Sequence, residues 1–245
     1  MSLISEPVAS FSPLYEQIKA MLLASLQASE WLPGTAIPSE MELAARYAVS
    51  QGTVRKAIDE LAAQNLLVRS QCKCTFVATH LEEDFQYRFL RLEPDSGEKF
   101  HLKNQFLACE SIQADAYTAQ LLKLKAGDPV IHIERIQSSV GKPIVFEEIW
   151  LPGGRFKGLT LEALNSWPGP VYAFYEAQYA THMVRAEEKI KAIHADKALA
   201  NHLQLPEGAA LLSVERVAFT YGNKPVEIRR ARYDTSEQHY DNKLN

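Results

Sequence analysis

Cysteine is scarce in this chain: Cys72, Cys74 and Cys109 are the only three among 245 residues. An odd, sparse set of this kind is unlike the disulfide framework of a small secreted domain. Long apolar runs are missing too, since no stretch approaches the roughly 20 apolar residues that cross a bilayer. The opening segment, MSLISEPVASFSPLYEQ, has neither a basic start nor an apolar run, which argues against a signal peptide. Charge of one sign is not in excess either; a net charge of −4 gives no global pull toward nucleic acid or membrane. These absences predict a soluble, cytoplasmic protein without a membrane partner. Catalytic spacing is also lacking. His80, His101, His132, His182, His194, His202 and His239 are scattered, and no nucleophile–base pair, metal-spaced cluster or phosphate loop stands out. The sequence therefore predicts no enzyme, no cofactor and no metal site. What is present is ordinary globular material: 47% hydrophobic and 23% charged residues, in a length that suits one large domain or two of usual size.

The first of these is compact. Between Pro13 and Ala28, Leu14, Ile18, Met21, Leu22 and Leu26 recur at helical spacing, with Pro13 suited to the first turn. LPGTAIPSE reads as a connector. Ser39 then caps a second helix, with Glu40 and Glu42 at its positive end. Ser50 caps a third helix, SQGTVRKAIDELAAQN, whose buried stripe is Val54, Ile58 and Leu61. Asn65 suits a left-handed helix stop. LLVRS and TFVAT follow as short strands joined by QCKC. Helix, short helix, tight turn, helix and hairpin make the layout of a winged helix-turn-helix. Local charge agrees, because residues 46 to 78 carry Arg46, Arg55, Lys56, Arg69 and Lys73 against Asp59 and Glu60. Read alone, Arg55 and Lys56 beside those acids could equally form a solvated helix face.

PLYEQIKAMLLASL, LPGTAIPSEMELAARYAVSQGTVRKAIDELAAQNLLV and CKCTFVA resemble the GntR family of bacterial transcription factors across residues 13 to 78. The resemblance implies a homodimer that sets its third helix in the major groove of palindromic double-stranded operator DNA, with wing tips in the flanking minor groove. It makes Ser39, Glu40, Gln51, Gly52, Thr53, Arg55, Lys56 and Lys73 the DNA-binding candidates. Thr53 would hold a phosphate, and Arg55 would reach phosphate or guanine. Gln51, Gly52 and Met41 depart from the family's usual Arg, Thr or Ser, and Arg, so the operator is not transferable from relatives.

ATHLEEDFQ reads as an acidic linker. Beyond it, LLKLKAGDPVIHIERIQSSVGKPIVFEE and HLQLPEGAALLSVERVAFTYGNKPVEIRR repeat one another. Leu122, Leu124, Gly127, Glu134 and Arg135 return as Leu203, Leu205, Gly208, Glu215 and Arg216. After one inserted residue, GKP meets GNKP. Each copy predicts a helix, a strand, a turn and a strand, with IQADAYTAQLL and AEEKIKAIHADKALANHL as the preceding helical stretches. Two such units predict one antiparallel sheet with helices against it, an α+β domain. Alternation puts Ile131, Ile133, Arg135 and Gln137 on one face, and Leu212, Val214, Arg216 and Ala218 on one face. Arginine on an apolar face needs an anion. That anion is either a ligand or an internal Glu134, Glu147 or Glu227.

GDPVIHIERI, GKPIVFEEIWLP and PVEIRRARY resemble the UTRA effector-binding domain of the HutC branch of the GntR family. The resemblance implies a sheet shared with chorismate lyase and a small-molecule effector bound between the repeats. It places Arg88, Arg135, Gln137, Glu147, Glu227 and Tyr233 as ligand-binding candidates. Gln137 stands in place of the family's usual second basic residue and Pro170 lies near a position where a Ser often binds phosphate, so a carboxylate-bearing metabolite held by Arg135 and Arg88 is the expected ligand class. The domain boundaries that follow are a winged helix-turn-helix over 10–78, a linker over 79–85 and a UTRA domain over 86–240. The functional expectation is a ligand-responsive regulator, a repressor. An enzyme of chorismate-lyase-like fold and a paralogue with weakened DNA binding are the alternatives.

Cys72 and Cys74 stand where the resembling family has glycines around a basic wing residue, here Lys73. Glycine suits positive φ and close backbone approach to the minor groove. The pair supplies only two of four usual metal ligands, and Cys109 lies in the other domain. A redox or metal role is the minor reading; a change in how the wing meets DNA is the major one.

Overall fold

The computed structural model describes residues 12–70, 74–80, 91–97 and 102–242. The chain divides into two compact units, residues 1–78 and 79–245.

In the first unit, α1 (Leu14–Gln27) starts behind Pro13 and buries Ile18, Leu22 and Leu26, packing on the third helix of the unit. Leu14 and Met21, expected on the same stripe, are half exposed at its margins. Helix α2 (Glu40–Tyr47) opens on a capping box. Ser39 Oγ accepts from the Glu42 amide, and the Glu42 carboxylate accepts from the Ser39 amide at 2.8 Å. It stops where Ala48 turns left-handed at φ 53°. Ser50 then caps α3 (Gln51–Ala63), which buries Val54, Ala57, Ile58 and Leu61. Asn65 takes the expected left-handed turn at φ 55°. Strands β1 (Leu67–Arg69) and β2 (Thr75–Val77) pair antiparallel, and the Ser70 amide donates to the Cys74 carbonyl at 2.9 Å. Helix-turn-helix and wing are both present. Cys74 is exposed and unbridged, while Cys72 and Lys73 lie outside the described residues.

The second unit is built on one antiparallel sheet in two repeating halves. The first half runs β4 (Lys103–Gln113), α4 (Ala116–Leu122), β5 (Pro129–Ser139) and β6 (Lys142–Pro152). Two helices follow, α5 (Leu161–Ser166) and α6 (Val171–Tyr179). The second half is β7 (Arg185–His194), α7 (Lys197–Leu203), β8 (Ala210–Thr220) and β9 (Lys224–Asp234). The strand order β4-β5-β6-β9-β8-β7 sets the two halves back to back with β6 and β9 at the centre. The repeat extends to detail: Asp115 and Asp196 cap the equivalent helices, Lys123 and Gln204 end them left-handed, and Gly127 and Gly208 share a φ of 85°. The inserted residue lies in the second hairpin turn, Tyr221–Asn223, against the two-residue Val140-Gly141 turn of the first. A two-stranded sheet of β3 (Leu92–Pro94) and β10 (Gln238–Tyr240) packs Leu92 and Tyr240 with Tyr233, Val214 and Ala231.

Two expectations are corrected. Residues 186–194, expected as part of a helical stretch, lie in strand β7, and only Lys197–Leu203 is helical. This is an edge strand, whose alternating Glu187, Lys189 and Lys191 guard a free edge. Thr79 and His80, expected in a linker beginning at 79, are buried within the second unit at 5% and 1% exposure. Residues 81–85 lie outside the described residues.

Candidate DNA-reading and effector sites

Two of the N-terminal candidates, Gln51 and Arg55, converge on a third, Glu40. Glu40, in the first turn of α2, accepts from Gln51 Nε2 at 3.1 Å, Arg55 Nε at 3.0 Å and Arg69 Nη1 at 3.1 Å. Burial opposes its charge, but the bonds from Arg55, Gln51 and Arg69 outweigh it and hold the carboxyl below its ordinary range. Arg69 also reaches Asp59 at 2.7 Å. Sequence reasoning placed Arg69 in the local basic excess but not in the site; its position at the end of the first wing strand was the available signal. Ser39 Oγ is engaged in its capping box. Thr53 Oγ1 lies 2.8 Å from Ser50 Oγ at the start of α3. Lys56 Nζ sits 3.6 Å from the centre of the Tyr15 ring, so this cation rests on α1. A side chain at Gly52 would meet only Ser50 Oγ, at 3.8 Å, so bulk does not dictate the glycine.

In the second unit, strand register brings five of the six ligand candidates to one face. Phe106, Arg135 and Glu147 stand opposite one another across β4, β5 and β6. Arg229 stands opposite Ile149 on one side and Arg216 on the other, and Arg216 stands opposite Glu188. Arg135 donates to Glu147 through Nε at 2.7 Å and through Nη2. Arg229 forks onto Glu227 at 3.0 and 2.9 Å and reaches Glu147 at 3.5 Å. Tyr172 of α6 donates to Glu227 at 2.7 Å. Gln137 donates to Asn104 at 2.9 Å. Burial would push Glu147 toward protonation, yet the Arg135 and Arg229 charges keep its carboxyl below the ordinary range. Burial, with Glu147 nearby, pushes the Tyr233 hydroxyl up to about 12.

Arg135 thus has the internal partner Glu147. Arg216 Nε and Nη2 each lie 2.7 Å from Glu188 Oε1, a carboxylate on strand β7 outside the three expected. The second Glu188 oxygen accepts from Tyr240. Tyr175, wholly buried on α6, has a hydroxyl without a hydrogen-bond partner among the described residues. Arg88 lies outside the described residues. Beside Arg135 and Gln137, their neighbours Phe106 and Asn104 line a cleft closed by Leu164, Trp167, Val171 and Phe174. Pro170, at the start of α6, offers no side-chain cap there.

The histidines expected to be scattered are partly gathered. His80, Glu176 and His182 bring one donor atom each to within 4.8 Å of one another, all three buried. Among the described residues no other three His, Cys, Asp or Glu donors gather this closely. No helix among the described residues is long and apolar enough to cross a membrane.

A helix-turn-helix with a wing, joined to a repeated sheet enclosing polar side chains, defines a regulator with a reading unit and a sensing unit. Residues 14–77 match the bacterial regulatory proteins of the gntR family, and residues 97–239 match the UTRA domain. The chain belongs to the GntR family of bacterial transcriptional regulators and carries a UTRA effector domain. It is similar to the mannosyl-D-glycerate transport/metabolism system repressor of Escherichia coli, at 27% identity over 92% of this chain and 93% of the relative. The histidine utilization repressor of Pseudomonas putida is 26% identical over 89% of this chain and 87% of its own length. The solved ligand-binding domain of a GntR-family regulator from Bordetella bronchiseptica is 41% identical, with a TM-score of 0.64, over 65% of this chain and 99% of that one. The relatives are transcriptional regulators, and this chain is a ligand-responsive regulator of the same kind rather than an enzyme.

Proposed function

We propose that the chain acts in the cytoplasm as a homodimeric repressor of a palindromic operator, released or tightened by a small carboxylate-bearing metabolite. Gln51, Thr53 and Arg55 of α3 meet bases and phosphates, and Ser39 borders the phosphate path at the start of α2. Arg69 and Lys73 contact DNA from the wing. Glu40 acts as a positioning residue, because a carboxylate facing phosphates would repel them, whereas one behind Gln51, Arg55 and Arg69 aims them. Lys56, resting on Tyr15, contributes long-range attraction. Gly52 leaves the start of α3 bare for backbone approach.

The observation that carries the sensing half is three buried arginines, Arg135, Arg216 and Arg229, on one sheet face. Arginine forks suit carboxylates. An entering carboxylate would exchange with Glu188 or Glu147 for its arginine, with Tyr175, Tyr233 and Gln137 as polar neighbours and Arg88 as a further candidate. Mannosyl-D-glycerate, fructoselysine and histidine, the compounds in the relatives' names, each carry a carboxylate. Effector binding to one state of the dimer would change the spacing of the two reading heads.

Mobility shifts on the gene's own upstream region test the reading. A saturable complex at low salt that weakens steeply as salt rises is expected. No complex with or without carboxylate metabolites would contradict it.

A further inference from the structure

We propose that His80, Glu176 and His182 form a binding site for a borderline divalent transition ion such as zinc. Glu176 sits on α6, and His182 follows the left-handed turn at Ala180 that ends this helix. His80 comes from far back in the chain, and its ring stacks on that of His182 with centroids 4.6 Å apart. His80 Nε2 lies 3.8 Å from Glu176 Oε1 and 3.0 Å from the Met183 carbonyl oxygen, while His182 Nδ1 contacts the same Glu176 oxygen. Tetrahedral ligands about 2.0 Å from an ion stand roughly 3.3 Å apart. The two edges around His80, 3.0 and 3.8 Å, bracket that value, and the closer His182–Glu176 contact opens as the ion enters. Two imidazole nitrogens beside a carboxylate and a backbone carbonyl form a mixed donor set that favours zinc and its neighbours over magnesium or calcium.

The surroundings also hold the donors in place. Thr79 Oγ1 and the His80 amide donate to Glu176 Oε2 at 2.9 and 3.1 Å, the amide also reaches Oε1 at 3.3 Å, and Oε1 faces the imidazoles. The His182 ring stacks on Tyr221 at 5.6 Å, and His80 meets Tyr172 edge-on at 5.3 Å. Carboxylate hydrogen bonding and ring packing of this kind orient metal ligands. Binding through His80 Nε2 and His182 Nδ1 requires each neutral ring to carry its one proton on the other nitrogen, so the protons now facing Met183 and Glu176 give way to the ion by a change of tautomer. Helix α6 presents Tyr172 to the arginine cluster and, one turn later, Glu176 to the histidines, so the ion would brace the helix covering the sensing face.

The test uses tag-free full-length chain stripped with chelator, titrated with zinc by calorimetry and with cobalt(II) by visible absorption at pH 7.5. One equivalent per chain, and a visible cobalt band, are expected. Glu176→Gln keeps an acceptor for Thr79 and His80, and His182→Gln keeps a polar group; each should weaken zinc binding by about 100-fold or more. His132→Gln, remote from the cluster, should not. Magnesium should not displace zinc. Absence of a stoichiometric ion, or one retained by both folded variants, overturns the site. Should either variant fail to fold by circular dichroism, the wild-type cobalt band decides, and its absence overturns the proposal. None of these readouts involves operator or effector, so the site stands or falls apart from the proposed function.

Discussion

Two clusters in this molecule use the same chemistry, a carboxylate bracketed by arginines, in opposite surroundings. Around Glu40, the side chains of Arg55 and Arg69 remain 58% and 41% exposed. Around Glu147, those of Arg135 and Arg229 are 4% and 8% exposed. Exposed ion pairs are worth little and exchange readily with solvent or phosphate. Buried ones contribute little net stability when intact, but breaking one leaves an uncompensated charge in a poor dielectric. The first arrangement suits a surface that must hand its cations to DNA. The second suits a buried cluster that an anion could join only by displacing an internal carboxylate.

The largest expected effect breaks the buried cluster. Glu147→Ala strands Arg135, while Arg229 keeps its fork on Glu227, and should cost about 3–5 kcal/mol in urea unfolding. A loss below about 1 kcal/mol would mean that water reaches these arginines.

Next comes acid. Glu148, on the other face of β6, has the His132 ring 3.7 Å from Oε1 and Arg232 at 2.6 Å from Oε2. Against the cost of burial, His132 and Arg232 hold its carboxyl down at about 2. A carboxyl depressed on folding stabilises fully above its unfolded value near 4.5 and loses that contribution as pH falls toward 2. The loss should reach about 3 kcal/mol, and Glu148→Gln should flatten the stability profile between pH 4.5 and 2. An unchanged acid slope would remove Glu148 from the account.

The exposed cluster should respond differently. Glu40→Gln should alter folding stability by less than about 1 kcal/mol. It should nonetheless strengthen binding to random duplex and reduce operator preference by about 10-fold, because Arg55 and Arg69 lose their aim. Fluorescence anisotropy on operator and scrambled DNA measures both. An unchanged preference would reduce Glu40 to a helix-end charge.

Much of this comparison was legible in the sequence where local rules suffice. Ser39 and Ser50 declared their caps, Asn65 its turn, and the period of two put Arg135 with Ile131 and Ile133. The repeat foretold which loops, helices and hairpins would match. Partners set by long-range register were less legible. Strand β7 reads as helical because its charges fall on an edge, and with it went Glu188, the partner of Arg216. Arg69 joins Glu40 only after the wing folds back toward α2. His80 meets Glu176 and His182 only after about two-fifths of the chain has been laid between them, so no spacing in the sequence marks the cluster.

The most direct measurement of the central claim is operator affinity of the full chain with histidine, mannosyl-D-glycerate and fructoselysine, in wild type and in Arg216→Lys. Lysine keeps the charge facing Glu188 but loses the fork. At least one of these carboxylates should change wild-type affinity by about 10-fold, the scale of allosteric coupling. Arg216→Lys should bind operator as wild type does and lose that response. A response that survives the substitution, or none from any of the three, would contradict the assignment of the sensing face.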